Sequence, residues 1–178
     1  MSVVVQVRHM HKFLAPLAAL ILSTAPALAT TIAFDGYTLS SDTQLTQGHT
    51  KLRCESKIFY SQSRNCYLGF AGDWKHLIKV LEWFLTTQDD TATLKGPFQV
   101  MVIDGNTGNV RIYTGTLSKY VDMGRMQYAI GSGTEYALAA MKIGYTAPEA
   151  VHMASLLDIY TSDPVTSFHI LENKKESK

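Results

Sequence analysis

Beyond residue 30 the apolar and polar positions first alternate with the short period of strands, and the period lengthens to that of a helix further along. Thr31 to Phe34, the pair Asp35-Gly36, and Tyr37 to Ser41 predict a strand, a tight turn and a strand, because Asp-Gly tolerates the positive φ of a short hairpin turn. Residues 50–60 and 64–71 are rich in β-branched and aromatic types around Ser61-Gln62-Ser63-Arg64-Asn65, which predicts a second hairpin. From Trp74 onward Leu77, Ile78, Leu81, Phe84 and Leu85 form one helical stripe, with Lys75, His76, Lys79 and Glu82 off it. Phe98 to Ile103 and Val110 to Tyr113 flank the turn-rich residues 104–109 and predict a third hairpin. Residues 115–127 read as an irregular connection, and Tyr128-Ala129-Ile130 as a short strand running into Gly131-Ser132-Gly133. A helix then extends to about Ile143, with Gly144 as its stop. Thr146, Pro148 and Glu149 carry the start signals of a last helix, whose apolar stripe is Ala147, Ala150, Val151 and Ala154. Asp158, eleven residues after Ala147, continues that stripe, and a carboxylate there needs a partner. Strands, a helix, strands and two helices predict an antiparallel α+β layered domain.

The first 29 residues follow a different pattern. Arg8, His9, His11 and Lys12 precede the mostly apolar run from Phe13 to Thr24, and Ala27-Leu28-Ala29 follows Pro26. That is the layout of a secretory leader with a small-residue cleavage site, and the run is too short for a spanning anchor of about 20 residues. A propeptide and a misassigned start are the other readings of the same residues. The division is therefore a leader over 1–29, a domain over 30–171 and a polar tail over 172–178. An exported protein would be periplasmic or secreted; without export it would be cytoplasmic. On export, Cys54 and Cys66, with eleven residues between them around a predicted hairpin, would face an oxidising compartment, and their pairing depends on a register that the sequence leaves open.

Composition narrows the chemistry. The chain has 178 residues, 46% apolar and 17% charged, with a net charge of +1. This suits a single domain and offers no basic excess to track nucleic acid. Two cysteines and six scattered histidines give no metal-ligand spacing, so neither a metal nor a cofactor is expected. Cleavage after Ala29 would make Thr30 the first residue. A threonine hydroxyl needs a base to become a nucleophile, and a free α-amine, with a pKa of about 7.7–8, suits that role. One residue would supply both groups, but only after the preceding peptide bond is broken. Thr30-Thr31 equally reads as the plain start of a strand. Gly131-Ser132-Gly133 reads either as a structural strand-to-helix turn or as a phosphate loop lacking the rest of a nucleotide fingerprint. Asp89-Asp90 sits in a polar connection and reads as a solvated helix end rather than a catalytic pair.

Four segments in order resemble the proteasome β-subunit and HslV-type threonine peptidases. TTIAFDGYTLSSD is similar to the family's opening, Gly69-Phe70-Ala71-Gly72 to its Gly-Phe-Ala-Gly, AIGSGTEYALAAM to its Ile-Gly-Ser-Gly segment, and ASLLDIYTSDPV to its last helix with a Ser or Thr after the Asp. The resemblance implies an N-terminal nucleophile (Ntn) hydrolase fold, a four-layer αββα sandwich with two antiparallel sheets. It implies Thr30 as nucleophile, and Asp42 paired with a lysine, for which Lys51 in Thr50-Lys51-Leu52-Arg53 is the expected residue. It further implies the Gly72 N–H as an oxyanion donor, and Ser132 and Asp158 beside the Thr30 amine. Asp73 stands where the family commonly has a second glycine, and the interval from Gly72 to Phe98 fits one helix where the family has two.

The function so implied is hydrolysis of peptide bonds through an acyl-threonine intermediate, on a peptide or protein substrate, in a chain that could form homo-oligomers. An inactive binding or assembly module, and an Ntn amidohydrolase acting on a non-peptide amide, are the alternatives.

Overall fold

The computed structural model describes residues 29–47, 50–86 and 94–171. The leader and polar tail, like Asp89-Asp90, lie outside the described residues. The chain runs β1 (Thr31–Phe34), β2 (Thr38–Asp42), β3 (Gln44–Gln47), β4 (Thr50–Arg53), β5 (Ile58–Ser61), β6 (Cys66–Gly72) and helix α1 (Trp74–Leu85). It continues through β7 (Lys95–Asp104), β8 (Val110–Thr116), β9 (Val121–Gly124), β10 (Tyr128–Gly131), helix α2 (Thr134–Lys142), helix α3 (Ala147–Leu157) and β11 (Val165–His169). The fold is α+β, and its strands are antiparallel throughout the described pairings.

One sheet has the order β10-β1-β2-β11, a second has the order β5-β6-β7-β8-β9, and β3-β4 is a separate hairpin. Alternation along the strands divides their side chains between distinct cores. Ile32, Phe34 and Leu39 of the first sheet pack with Ala71, Met101, Ile103 and Ile112 of the second. On the other face of the first sheet, Ala33 and Ala129 meet the small residues of α2 and α3. Leu68, Phe70, Val100 and Val102 instead meet Leu77, Val80, Trp83 and Phe84 of α1.

The hairpins at 31–42 and 98–113, the strand at 128, and helices α2 and α3 follow the sequence pattern. Four expectations change. Residues 50–60 are not one strand: β4 pairs with β3, and only β5 joins β6. Helix α1 buries Leu77, Val80, Trp83 and Phe84, whereas Ile78 and Leu85 of the expected stripe are exposed. Val80 and Trp83 take the inward face in their place. The connection at 115–127 contains β9, and β11 closes the first sheet after α3. Cys54 and Cys66 are both free thiols: Cys54 sits against the Thr43 carbonyl, while Cys66 opens β6.

Candidate active site

Thr30 immediately precedes β1, and Asp42 ends the antiparallel partner β2, so the hairpin brings them together. The Thr30 hydroxyl donates to Asp42 Oδ1 at 2.7 Å. The same carboxylate oxygen accepts the Thr31 N–H at 2.9 Å, while Oδ2 accepts the Gln44 N–H at 2.9 Å. Asp42 is fully buried, and these donors replace the water it has lost.

The cation beside this pair is Lys57. Its Nζ lies 2.8 Å from Asp42 Oδ1 and also donates to Thr30 Oγ1. Lys57 is 3% exposed, and burial pushes its ammonium below the ordinary lysine range, with the Asp42 charge opposing that shift. Lys51, the expected partner, lies on the wholly exposed strand β4 opposite Thr46. The β3–β4 hairpin is an excursion between Asp42 and β5 that carries Lys51 outward. Lys57 follows it, at the point where the chain returns to pair with β6. The signal that identifies it is position: a lysine directly before the apolar start of β5, fifteen residues after Asp42.

Ser132 lies on the other side of Thr30. The Thr30 N–H donates to Ser132 Oγ at 3.3 Å, and the Ser132 hydroxyl donates to Asp158 Oδ2 at 2.6 Å. Asp158 is the C-cap of α3 rather than a residue within its stripe, and it also accepts the Thr161 hydroxyl at 2.7 Å. The Thr161 hydroxyl is 2.6 Å from the Thr31 hydroxyl, a link whose one sign in the sequence is the generic Ser or Thr after the aspartate. The backbone closes the arrangement, with the Ser132 N–H on the Thr30 carbonyl at 2.8 Å.

The glycines of this segment are required by close approach. Gly131 has φ +99°, and a Cβ there would run into the Thr30 carbonyl. A Cβ on Gly133 would run into the Thr31 hydroxyl. The Gly-Ser-Gly turn is thus a seat for Thr30 and Thr31, not a free phosphate loop. Gly72 is tight as well: a Cβ would stand 2.7 Å from Phe98 Cβ.

A small pocket joins these groups, with Ala29, Leu45, Lys57, Phe70, Gly72 and Trp74 around Thr30. Five of the six expected site residues, Thr30, Asp42, Gly72, Ser132 and Asp158, therefore converge; Lys51 is replaced by Lys57. Thr30 is 1% exposed with Ala29 still attached to it. Among the described residues, no group of three or more His, Cys, Asp and Glu side chains is arranged to hold a metal ion.

No protein-family model matches the chain, and no curated protein matches it. Solved structures do. BPH from Thiobacillus denitrificans matches with a TM-score of 0.60 at 18% identity, over 78% of this chain and 95% of that one. The same protein in complex with epoxomicin matches with a TM-score of 0.61 at 19% identity, over 80% and 99%. HslV from Trypanosoma brucei matches with a TM-score of 0.57 at 18% identity, over 78% and 97%. The fold is that of the proteasome/HslV-type threonine peptidases.

Proposed function

We propose that this chain, once residues 1–29 are removed, is an N-terminal threonine peptidase of the proteasome/HslV type. The observation that carries the reading is the Thr30 hydroxyl, buried between a carboxylate acceptor and a lysine donor at the chain position where a cut after Ala29 would create an α-amine. BPH, which has this fold, was solved in complex with epoxomicin, which supports the same kind of site here. The three cores, helix on sheet, sheet on sheet and sheet on helices, support a four-layer αββα arrangement.

In the proposed reaction Thr30 Oγ1 attacks the carbonyl carbon of the scissile bond, and its proton passes to the free α-amine beside Ser132. The Lys57 charge favours the alkoxide as it forms, and the Gly72 N–H stabilises the oxyanion. Collapse breaks the C–N bond, the protonated α-amine returns a proton to the leaving amine, and an acyl-threonine ester remains. Water then attacks the ester with the same amine as base, releasing the carboxylic product and restoring Thr30. With Ala29 attached, Thr30 N is an amide, which has no basic lone pair, and Ala29 stands at the wall of the pocket. The leader thus keeps the chain inactive. Its layout supports removal by a signal peptidase and a periplasmic or secreted location.

The test is an intact mass with N-terminal sequencing on wild type and Thr30→Ala, together with peptide hydrolysis. A wild-type chain beginning at Thr30 that cleaves peptides, with a folded Thr30→Ala chain at least ~1,000-fold slower, is the expected result. Undiminished turnover in Thr30→Ala would overturn the mechanism.

A further inference from the structure

Helix α1 has two apolar faces. Leu77, Val80, Trp83 and Phe84 enter the core. Beside them runs a second set: Trp74, Ile78 and Leu85 are 46%, 63% and 54% exposed, and half-buried Leu81, which also packs against the core, lies in line with them. Residues 74, 78, 81 and 85 step by four, three and four. That is the d-a-d-a spacing of a heptad seam, along which two helices interlock. An apolar stripe of this kind, exposed at three of its four positions, marks an interaction surface rather than scattered surface apolar residues.

The flanking charges favour one occupant. Lys75 and Glu82 are exposed, seven residues apart, and share the heptad position beside the seam on the side away from the core. We propose that a second copy of this chain docks here, α1 against α1, antiparallel about a two-fold axis. With the axis midway between Ile78 and Leu81, Trp74 meets Leu85 of the partner subunit and Ile78 meets Leu81 of the partner subunit. Lys75 then lies within two residues, about 3 Å along the axis, of Glu82 of the partner subunit. Symmetry repeats that pair, so both flanks of the seam are charge-matched. A parallel pairing would set each flank against the partner's core-facing Leu77 and Phe84, leaving the charges unmatched. Lys75 at present touches Asp73 at 2.9 Å, but that pair is exposed and easily exchanged. Trp74 also walls the Thr30 pocket, so the contact lies beside the site.

The experiment is sedimentation velocity on the full chain over a concentration series, with Ile78→Glu, Lys75→Glu, Glu82→Lys and the double exchange. The two-fold contact doubles the mass of the unit it joins, so Ile78→Glu is expected to halve the wild-type mass. Each single charge reversal raises the dissociation constant about tenfold, and the double exchange returns it to the wild-type value. All four changes lie at exposed positions, and unchanged melting temperatures would show intact folding. A wild-type mass that Ile78→Glu leaves unaltered overturns the proposal; this includes a monomer whose stripe is covered by residues 1–29. A double exchange no stronger than either single change overturns the antiparallel register.

Discussion

At the scale of single residues, the Thr30 site is a problem of burying one charge pair around one hydroxyl. Asp42 is solvated by backbone N–H groups as well as by Lys57, whereas among the described residues the Lys57 ammonium has only Asp42 and Thr30 as hydrogen-bond partners. The ammonium therefore loses its proton more readily than an exposed lysine does: burial lowers its pKa from the ordinary 10.5, and Asp42 opposes the fall. Two limbs are expected for kcat/KM. Activity rises as the Thr30 amine loses its proton, near its usual pKa of about 8, and falls as Lys57 loses its own at a pH below 10.5. The stability effect has the opposite sign on the alkaline side. Between the lowered folded value and 10.5 the unfolded chain binds the lysine proton more than the folded chain does, so the Lys57 contribution makes folding more stable as pH rises. A pH–rate profile set beside thermal melts checks this; an alkaline loss of activity that tracks unfolding would contradict it. Thr30, Asp42, Ser132 and Asp158 were legible because each sits in a short recognisable segment. Lys57 was not, because a lysine before a strand looks like any solvated lysine until the β3–β4 excursion is known to carry Lys51 away.

Among the elements, turns and caps place the site more firmly than the strands' own propensities do. Asp35 accepts the Tyr37 and Thr38 N–H groups at 2.9 and 2.7 Å through Oδ1, and the Ala147 N–H at the start of α3 at 2.8 Å through Oδ2. One carboxylate thus fixes the β1–β2 turn, which sets Thr30 against Asp42, and anchors the helix whose far end holds Asp158. Asp35→Ala is expected to cost about 1–3 kcal/mol, measurable by urea unfolding, because it leaves three N–H groups without this acceptor. Asp35→Asn should recover part of that loss. Helix α3 was readable at its start and along its buried face, since Glu149 accepts the Thr146 N–H and hydroxyl at 2.8 and 2.7 Å and its small-residue stripe is fully buried; its end was not, because Asp158 caps the helix instead of continuing that stripe. Helix α1 was readable as a helix but not in its rotation. Five apolar residues around Trp83 satisfy two faces at once, and only the sheet decides which turns inward. Strand β11 escaped because Val165-Thr166-Ser167-Phe168-His169 is short and polar, and its place comes from pairing with β2.

Across the whole molecule, the site depends on the alignment of two sheets. Thr30 and Asp42 lie on the first, Ser132 follows its strand β10, Lys57 directly precedes the second sheet's edge strand β5, and Gly72 ends the neighbouring strand β6. The Gln99 side chain of β7 crosses between them to accept the Gly131 N–H at 2.9 Å. No pattern within one strand reveals such a relation, because it depends on how the shared core fixes one sheet against the other. The cores should therefore differ in their effect on activity at equal cost in stability. Met101 is fully buried between the sheets, and Phe84 of α1 is buried against the outer face of the second sheet. Met101→Ala and Phe84→Ala should each destabilise by roughly 2–5 kcal/mol. Met101→Ala removes packing that holds Lys57 in register with Asp42, and a shift of even 1 Å there is enough to lower the rate about 100-fold. Phe84→Ala leaves that register in place. With kcat/KM divided by the fraction folded, Met101→Ala should remain well below wild type while Phe84→Ala returns to it. Equal corrected activities would mean that each sheet holds its half of the site independently of the core between them.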